Sequence, residues 1–330
     1  MEQFQSPPSS SSDHDLICLY MKHINPSNCN DVMVSEVAET KLRTLLSTSN
    51  PYQFNYIEST TNKTLLMVAI DNGIDYAINT LLKFPYDCKM DYVNHSNNGL
   101  TALMMACQKR MENFALHMLV YPHTCALDQV TMNTKISALY IACERQLGYV
   151  ALEILNYPSR SALNCPNDKN TTCLMVACDK TRDNTYNTHY THYVYTKNVS
   201  METVVLKMLQ FPTLCKINHQ NMYGLTALMY ACKSRSEPVA MEILRKHRKS
   251  CALNAVDLIS FTALMYACEN LMETVVLEIL KDPSDCNLYA KNEHGVSALS
   301  MTQQLGLHTA FQKILYYNMT NNEDYKKNVK

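Results

Sequence analysis

The 14 cysteines are the residues of this chain most capable of chemistry, and their spacing indicates what they do. Thiols can form disulfides or bind zinc. Most neighbours within each of two columns are 35 to 37 residues apart, which suggests one cysteine per structural unit. Packed helices lie about 8 to 10 Å apart, whereas a disulfide needs Cα atoms within about 7 Å and zinc needs four ligands around one point. We therefore expect free, buried thiols in a reducing compartment and no metal site. The columns are Cys107, Cys143, Cys178, Cys232, Cys268 and Cys88, Cys125, Cys215, Cys251, Cys286.

A segment rich in tyrosine and histidine between Cys178 and Met201 is the other candidate for chemistry. His189 and His192 could bind a metal and the tyrosines could anchor a partner, but two histidines without a third ligand are weak support. A passive loop is the third interpretation, and all three stay open. We find no phosphate-binding glycine loop, metalloprotease motif or kinase motif, so we predict no enzyme activity, catalytic residue or cofactor.

A repeated Thr or Ser sets the register of the elements that would position these residues. It stands at positions 64, 101, 137, 172, 226, 262 and 297, so successive units begin 37, 36, 35, 54, 36 and 35 residues apart. Each hydroxyl precedes an apolar segment and fits a helix N-cap. A second amphipathic segment follows, as in 272–280, and most units then reach a Pro that would end the helix. This period is typical of an all-α solenoid of stacked helix pairs.

The recurring T-A-L-M-x-A-C pattern resembles T-P-L-H-x-A of the ankyrin-repeat family over residues 59–317. The family His is Met in five copies, Tyr140 in the third and Ser300 in the last, which predicts thioether packing in place of its hydrogen bonds. Gly is replaced by Asn62, Lys135, Asn170 or Ser260 before four of the seven N-caps, so we expect loop geometry to vary between repeats. The abundance of Asn, Lys and Tyr also resembles the ankyrin arrays of giant DNA viruses of amoebae.

The predicted organisation has four parts. Residues 1–30 are expected to be poorly ordered, 31–58 to form a degenerate capping unit, 59–317 to hold seven repeats with an insertion at about 179–200, and 318–330 to form a polar tail. No secretory signal or long apolar span is present, so we expect a cytoplasmic protein that does not bind membranes. A net charge of −1 gives no general attraction to nucleic acid.

The basic run 245–249 is the one local exception in charge. Cations at a helix C-terminus are favoured by the helix dipole, so a solvated helix end is the simpler interpretation. Contact with an anionic partner is the alternative.

The family resemblance implies that a partner binds at the loop tips and the exposed side of the first helices. The tips of most repeats are polar, whereas two adjacent tips carry large apolar residues, which we predict to bind a partner. Burial of Leu258 and Phe261 beneath the loop is the alternative. The predicted partner-binding residues are Met222, Tyr223, Leu258, Ile259 and Phe261 at the tips and Lys233, Glu269 and Arg145 on the first helices.

The sequence thus predicts a monomeric, non-catalytic module that binds a protein partner, as a viral protein in the host cell cytoplasm. Two alternatives stay open: a substrate adaptor for a ubiquitin ligase, and an enzyme or accessory protein with an unrecognised site.

We predict that removing residues 180–197 leaves the fold intact, because a loop between two helices adds little entropy cost as it lengthens. Urea unfolding monitored by circular dichroism should stay cooperative. Loss of cooperativity in the shortened protein would show that this segment packs against the repeats.

Overall fold

A computed structural model describes residues 13–24, 32–49, 54–182 and 199–321. Within these ranges the protein is all-α, with isolated β-bridges at loop tips and no β-strand. The chain divides into two compact units, 1–162 and 163–330. Each unit is a stack of ankyrin-type helix pairs in which the first helices of successive repeats pack together and so do most of the second helices.

The helices of the first unit are α1 to α8, and those of the second are α9 to α17. The first unit contains α1 Asp13–Ile24, α2 Val32–Thr48, α3 Leu65–Asn72, α4 Asp75–Leu81, α5 Ala102–Gln108, α6 Glu112–Leu119, α7 Ala138–Glu144 and α8 Gly148–Ile154. The second contains α9 Cys173–Asp179, α10 Met201–Met208, α11 Pro212–Cys215, α12 Ala227–Lys233, α13 Glu237–His247, α14 Ala263–Glu269, α15 Glu273–Ile279, α16 Ala298–Gln304 and α17 His308–Asn321.

The repeated Thr or Ser is the N-cap of the first helix in each of the seven repeats, as predicted. In the fifth repeat Thr226 is fully buried and its side chain accepts a hydrogen bond from the Met229 amide at 3.2 Å. The hydroxyl satisfies an amide that the helix itself leaves without a partner. The equivalent caps are Thr64, Thr101, Ser137, Thr172, Thr262 and Ser297.

The proline positions explain the lengths of the second helices. Pro122, Pro158 and Pro283 each begin a 3-10 turn after the second helix, and Pro212 begins α11. His247 stands at the equivalent position in the fifth repeat. With no Pro to stop it, α13 continues to His247 and has 11 residues, against 7 in α15.

Part of the N-terminal segment predicted to be poorly ordered is helical, while residues 1–12 and 25–30 of that segment lie outside the described residues. Residues 13–24 form α1, which packs against α2 and α3. Ile17 and Met21 are fully buried, and the Lys22 ammonium pairs with the Glu58 carboxylate. An amphipathic helix with a ready apolar neighbour is therefore ordered here despite the polar, serine-rich sequence before it.

The insertion begins later than the sequence register indicated. Thr181 is buried and its hydroxyl donates to the Cys178 carbonyl at 2.8 Å, so it belongs to the turn that ends α9, and a deletion that spares the fold should begin after it. Ser200 caps α10. His189, His192 and the tyrosines of the insertion lie outside the described residues.

The residue two places before each N-cap is left-handed in every repeat. The loops still vary, as expected, because the backbone bond that closes them spans six residues from Asn94 to Leu100, five from Thr131 to Ile136 and four from Asn221 to Leu225. Lys135 and Ser260 adopt φ of 56° and 62°, close to the 74° to 76° of the glycines in this position. A left-handed backbone costs a residue with a Cβ about 1–2 kcal/mol. Hydrogen bonds within each loop offset that cost, because Asp257 accepts from the Phe261 amide and the Thr131 hydroxyl accepts from the Ile136 amide.

Gly224 is the tip glycine that no other residue can replace without a clash. A Cβ there would lie 2.6 Å from the Val256 carbonyl oxygen and 2.7 Å from the Asp257 Cα, on the next loop. At Gly295, with a similar φ of +75°, a Cβ would meet nothing within 4 Å. Both glycines adopt a left-handed backbone, but only Gly224 also lacks space for a Cβ.

We therefore predict that Gly224→Ala destabilises the protein more than Gly295→Ala. Both variants lose about 1–2 kcal/mol from the left-handed backbone, and overpacking at position 224 adds at least about 1 kcal/mol. Chemical denaturation of the two purified variants measures the difference. Equal destabilisation would mean that the neighbouring loop yields freely.

Candidate functional site at the loop tips

Asn221 organises the first of the two apolar tips. It is buried, and its Oδ1 accepts hydrogen bonds from the amides of Tyr223 and Leu225, both at 3.0 Å. Its Nδ2 donates to the Tyr230 hydroxyl at 3.1 Å. One side chain thus fixes the turn and ties it to helix α12.

Asp257 does the same for the next tip. Its Oδ1 accepts from the amides of Ile259 and Phe261 at 3.1 and 2.8 Å, and its Oδ2 accepts from the Tyr266 hydroxyl at 2.6 Å. Burial of Tyr266, together with this bond to a carboxylate, raises the pKa of its phenol well above the usual value. The tyrosine therefore stays a donor and satisfies a buried charge.

These bonds correct part of the sequence interpretation. Met229 and Met265 are buried where the family has His, as the predicted thioether packing requires. Hydrogen bonding at the tips is not lost, however, because an Asn or Asp side chain supplies it in most loops and the Thr131 hydroxyl does so in the third repeat. The signal was present in the sequence as a further column, five residues before the N-cap in each of the last four repeats: Asn167, Asn221, Asp257, Asn292.

Backbone hydrogen bonds join neighbouring tips of the second unit. The Met222 amide donates to the Lys169 carbonyl at 3.0 Å, and the Leu258 amide donates to the Tyr223 carbonyl at 3.1 Å. The Gln220 side-chain amide bridges the carbonyls of Gly224 and Val256 at 2.9 and 3.2 Å. The tips are therefore fixed by contacts that do not use the side chains of Met222, Tyr223, Leu258 or Ile259.

Four apolar side chains project from these two linked tips, and we call them the tip patch. Leu258 is 73% exposed, Met222 57%, Ile259 42% and Tyr223 41%. The structure thus places four of the predicted residues on adjacent loops, in contact with solvent. Val256, also exposed, lies beside the patch and was missed because its position two residues before Leu258 falls outside the tip register.

Phe261 is not part of this exposed surface, so its assignment to the binding surface was wrong. It is buried, and its ring centroid lies 5.1 Å from that of Tyr266. Phe261 occupies the position directly before the N-cap Thr262, which Leu225 fills in the preceding repeat, also buried. A side chain at this position packs under the loop and supports the first helix.

The charged residues predicted on the first helices are exposed but lie away from the tips. Lys233 and Glu269 are the last residues of α12 and α14. Seven helical residues, about 10 Å at 1.5 Å each, separate each from the N-cap end that the tip adjoins. Arg145 is exposed at the end of α7, in the first unit.

The column cysteines are buried, as predicted. Burial raises the pKa of Cys107, Cys125 and Cys215 to about 12, so these thiols are not nucleophiles near neutral pH. In the second column the Cys215 thiol donates to the Met208 carbonyl at 2.9 Å. Over the described ranges no group of three or more His, Cys, Asp or Glu could hold a metal ion.

The basic run divides into a structural residue and exposed ones. The Arg248 guanidinium donates to the carbonyls of Glu278, Ile279 and Asp282 at 3.0, 2.8 and 3.0 Å and pairs with the Asp285 carboxylate at 2.9 Å. Arg248 thereby caps the C-terminus of α15 in the next repeat. Arg248 is therefore neither part of a solvated helix end nor a free contact for an anionic partner. It binds the neighbouring helix, which neither interpretation included.

Comparison with known families agrees with this geometry. Residues 194–322 match the family model described as "Ankyrin repeats (3 copies)". The chain therefore contains ankyrin repeats, and the helix pairs of both units have the same plan. No curated protein matches the sequence.

Several solved ankyrin structures resemble the protein at low sequence identity. The ankyrin repeat domain of Bcl-3, described as a unique member of the IkappaB protein family, has 20% identity and a TM-score of 0.46, covering 66% of this chain and 86% of its own. An ankyrin repeat domain from Acinetobacter baumannii AYE has 17% identity and a TM-score of 0.47, covering 65% and 96%. The ankyrin repeat protein EF0377 has 18% identity and a TM-score of 0.45, with the same coverage. The assignment of the fold depends on the family match and the repeat geometry, not on these similarities.

Within the described ranges, no helix has both the length and the apolar character needed to cross a bilayer.

We predict that Arg248→Ala lowers the free energy of unfolding by about 2 kcal/mol, because it leaves helix-end carbonyls and a carboxylate without their charged donor. Arg248→Lys should recover only part of this loss, since an ammonium cannot reproduce the planar fork. Urea denaturation measures both changes.

Lys249→Ala is the matched control, since Lys249 is an exposed neighbour of the same charge. It should change stability by less than about 0.5 kcal/mol. If Arg248→Ala and Lys249→Ala are equally mild, the inter-repeat cap contributes nothing.

Proposed function

We propose that the protein is a non-catalytic recognition module that holds a protein partner on the tip patch of Met222, Tyr223, Leu258 and Ile259. Ankyrin repeats generally serve as protein–protein interaction modules. The observation that carries the proposal is the exposure of four large apolar side chains on two tips whose backbones are joined by hydrogen bonds. Apolar and aromatic groups at the centre of an interface supply most of its binding free energy.

The charged residues around the patch favour selective binding of a partner over general electrostatic attraction. Asp168 and Lys169 occupy the preceding tip, and Glu293 and His294 occupy the following one, all exposed. Charges of both signs at the rim of an apolar centre favour a partner with matching charges and disfavour others. Lys233 and Glu269 extend the proposed surface along the first helices, and Arg145 would offer a separate contact in the first unit.

The finer parts of the proposal depend on sequence alone. On the resemblance to viral ankyrin arrays, we propose that the protein is viral and acts as a monomer in the host cytoplasm. Its partner is a host or viral protein. The absence of catalysis is supported by the buried column thiols, whose raised pKa values remove them as nucleophiles.

The test replaces Tyr223, Leu258 and Ile259 together by Ser. These side chains do not fill the space between repeats, so the melting temperature should stay close to wild type. Capture of the partner should fall at least about tenfold, or about 1.4 kcal/mol. Affinity capture from the native cells with quantitative mass spectrometry measures the change for every protein recovered.

The control replaces Tyr289, Leu305 and Tyr316 by Ser, which removes exposed apolar surface elsewhere in the same unit. It should capture the same partners as wild type. Unfolding of the tip variant would show that the patch is core, and full capture by a folded tip variant would place the interface elsewhere.

A further inference from the structure

A second exposed surface lies in the first unit, at the turns that follow the second helices. Each turn is built on a proline, at Pro85, Pro122 and Pro158. Aromatic residues flank these prolines, with Tyr121 and Tyr157 directly before them and Tyr86 and His123 directly after. The repeat therefore brings rings to the same side of successive units.

These rings form two pairs with nearly the same geometry. The Tyr86 and Tyr121 centroids lie 6.2 Å apart at an interplanar angle of 67°, and those of His123 and Tyr157 lie 6.4 Å apart at 67°. In each pair the residue after one proline packs edge-on against the residue before the next. We call Tyr86, Tyr121, His123 and Tyr157 the aromatic strip.

The strip is a surface and not a core. Tyr86 is 78% exposed, Tyr121 is 36% exposed, and the adjoining Val120 is 66% exposed. The stacked helices behind it are already closed by buried residues such as Met118 and Leu119. Tyrosine exposed in a regular row offers rigid apolar area together with hydroxyl groups, a combination common at protein interfaces.

A cation lies beside one end of the strip. The Arg160 Nη1 atom is 3.3 Å from the His123 Nδ1 atom, a contact in which the imidazole nitrogen accepts because a guanidinium only donates. Throughout the part of the chain that the structure describes, no carboxylate pairs with Arg160. Most of its N–H donors are therefore available to an acidic group.

We propose that the aromatic strip binds an extended, proline-rich segment of a partner protein that carries acidic side chains at one end. The two ring pairs are one repeat apart, and packed helices are about 8 to 10 Å apart. A polyproline II segment advances about 9.3 Å in each turn of three residues, so every third residue meets a new pair. Proline rings pack on tyrosine faces in this mode of recognition. Arg160 then binds a carboxylate and sets the direction of the segment.

The experiment uses the full chain and a fluorescein-labelled peptide of about twelve residues, mostly proline with glutamates at one end, which is long enough to span the strip. Fluorescence anisotropy should show saturable binding. Tyr86→Ala should raise Kd at least about tenfold with unchanged helical content, because Tyr86 is the most exposed tyrosine of the strip. Arg160→Gln should abolish the preference for this peptide over one ending in glutamines.

Tyr289→Ala is the control, because Tyr289 is an exposed tyrosine of the second unit, outside the strip. It should leave Kd unchanged. Three results would overturn the proposal: no saturable binding, equal binding of a flexible glycine–serine peptide with the same glutamates, or equal weakening by Tyr86→Ala and Tyr289→Ala. None of these results bears on the tip patch, which belongs to the other unit.

Discussion

The hydrogen bond between a buried Thr or Ser hydroxyl and an amide in the first turn of the helix sets the register of every repeat. Replacing such a cap by Ala costs about 1 kcal/mol, and here the polar partners are also out of reach of water. Because the cap fixes where the first helix starts, it fixes which face of that helix is buried. It also fixes the position of the left-handed residue two places earlier and of the apolar residue between them, as at Gly224, Leu225 and Thr226.

Features that depend on the sequence of a single repeat were predictable, because they are set by interactions within that repeat. The cap at Thr226 and the stop at Pro212 are consequences of side-chain hydrogen bonding and of proline's missing amide. The exposed position of Leu258 also follows from register. Phe261 was assigned to the exposed surface because it is apolar and close to the tip. Leu225, at the same position of the preceding repeat, is buried, and Phe261 is buried in the same way.

Features that depend on neighbouring repeats were not predictable in this way. In the sequence Arg248 is one member of a charged run, and only the structure shows that it binds the end of α15. Helix α1 follows a serine-rich segment whose composition masks the apolar face that Ile17 and Met21 bury.

The hydrogen bonds between adjacent tips have a consequence for how this surface could come to recognise different partners. The bonds from Met222 to Lys169 and from Leu258 to Tyr223 use only backbone atoms, and Asn221 and Asp257 hold the turns from beneath. The loops are therefore preorganised, and binding need not order the main chain, which removes part of the usual entropic cost of association. Since the exposed side chains take no part in these bonds, they can change while the loop keeps its form. Specificity can therefore diverge on this scaffold faster than stability is lost.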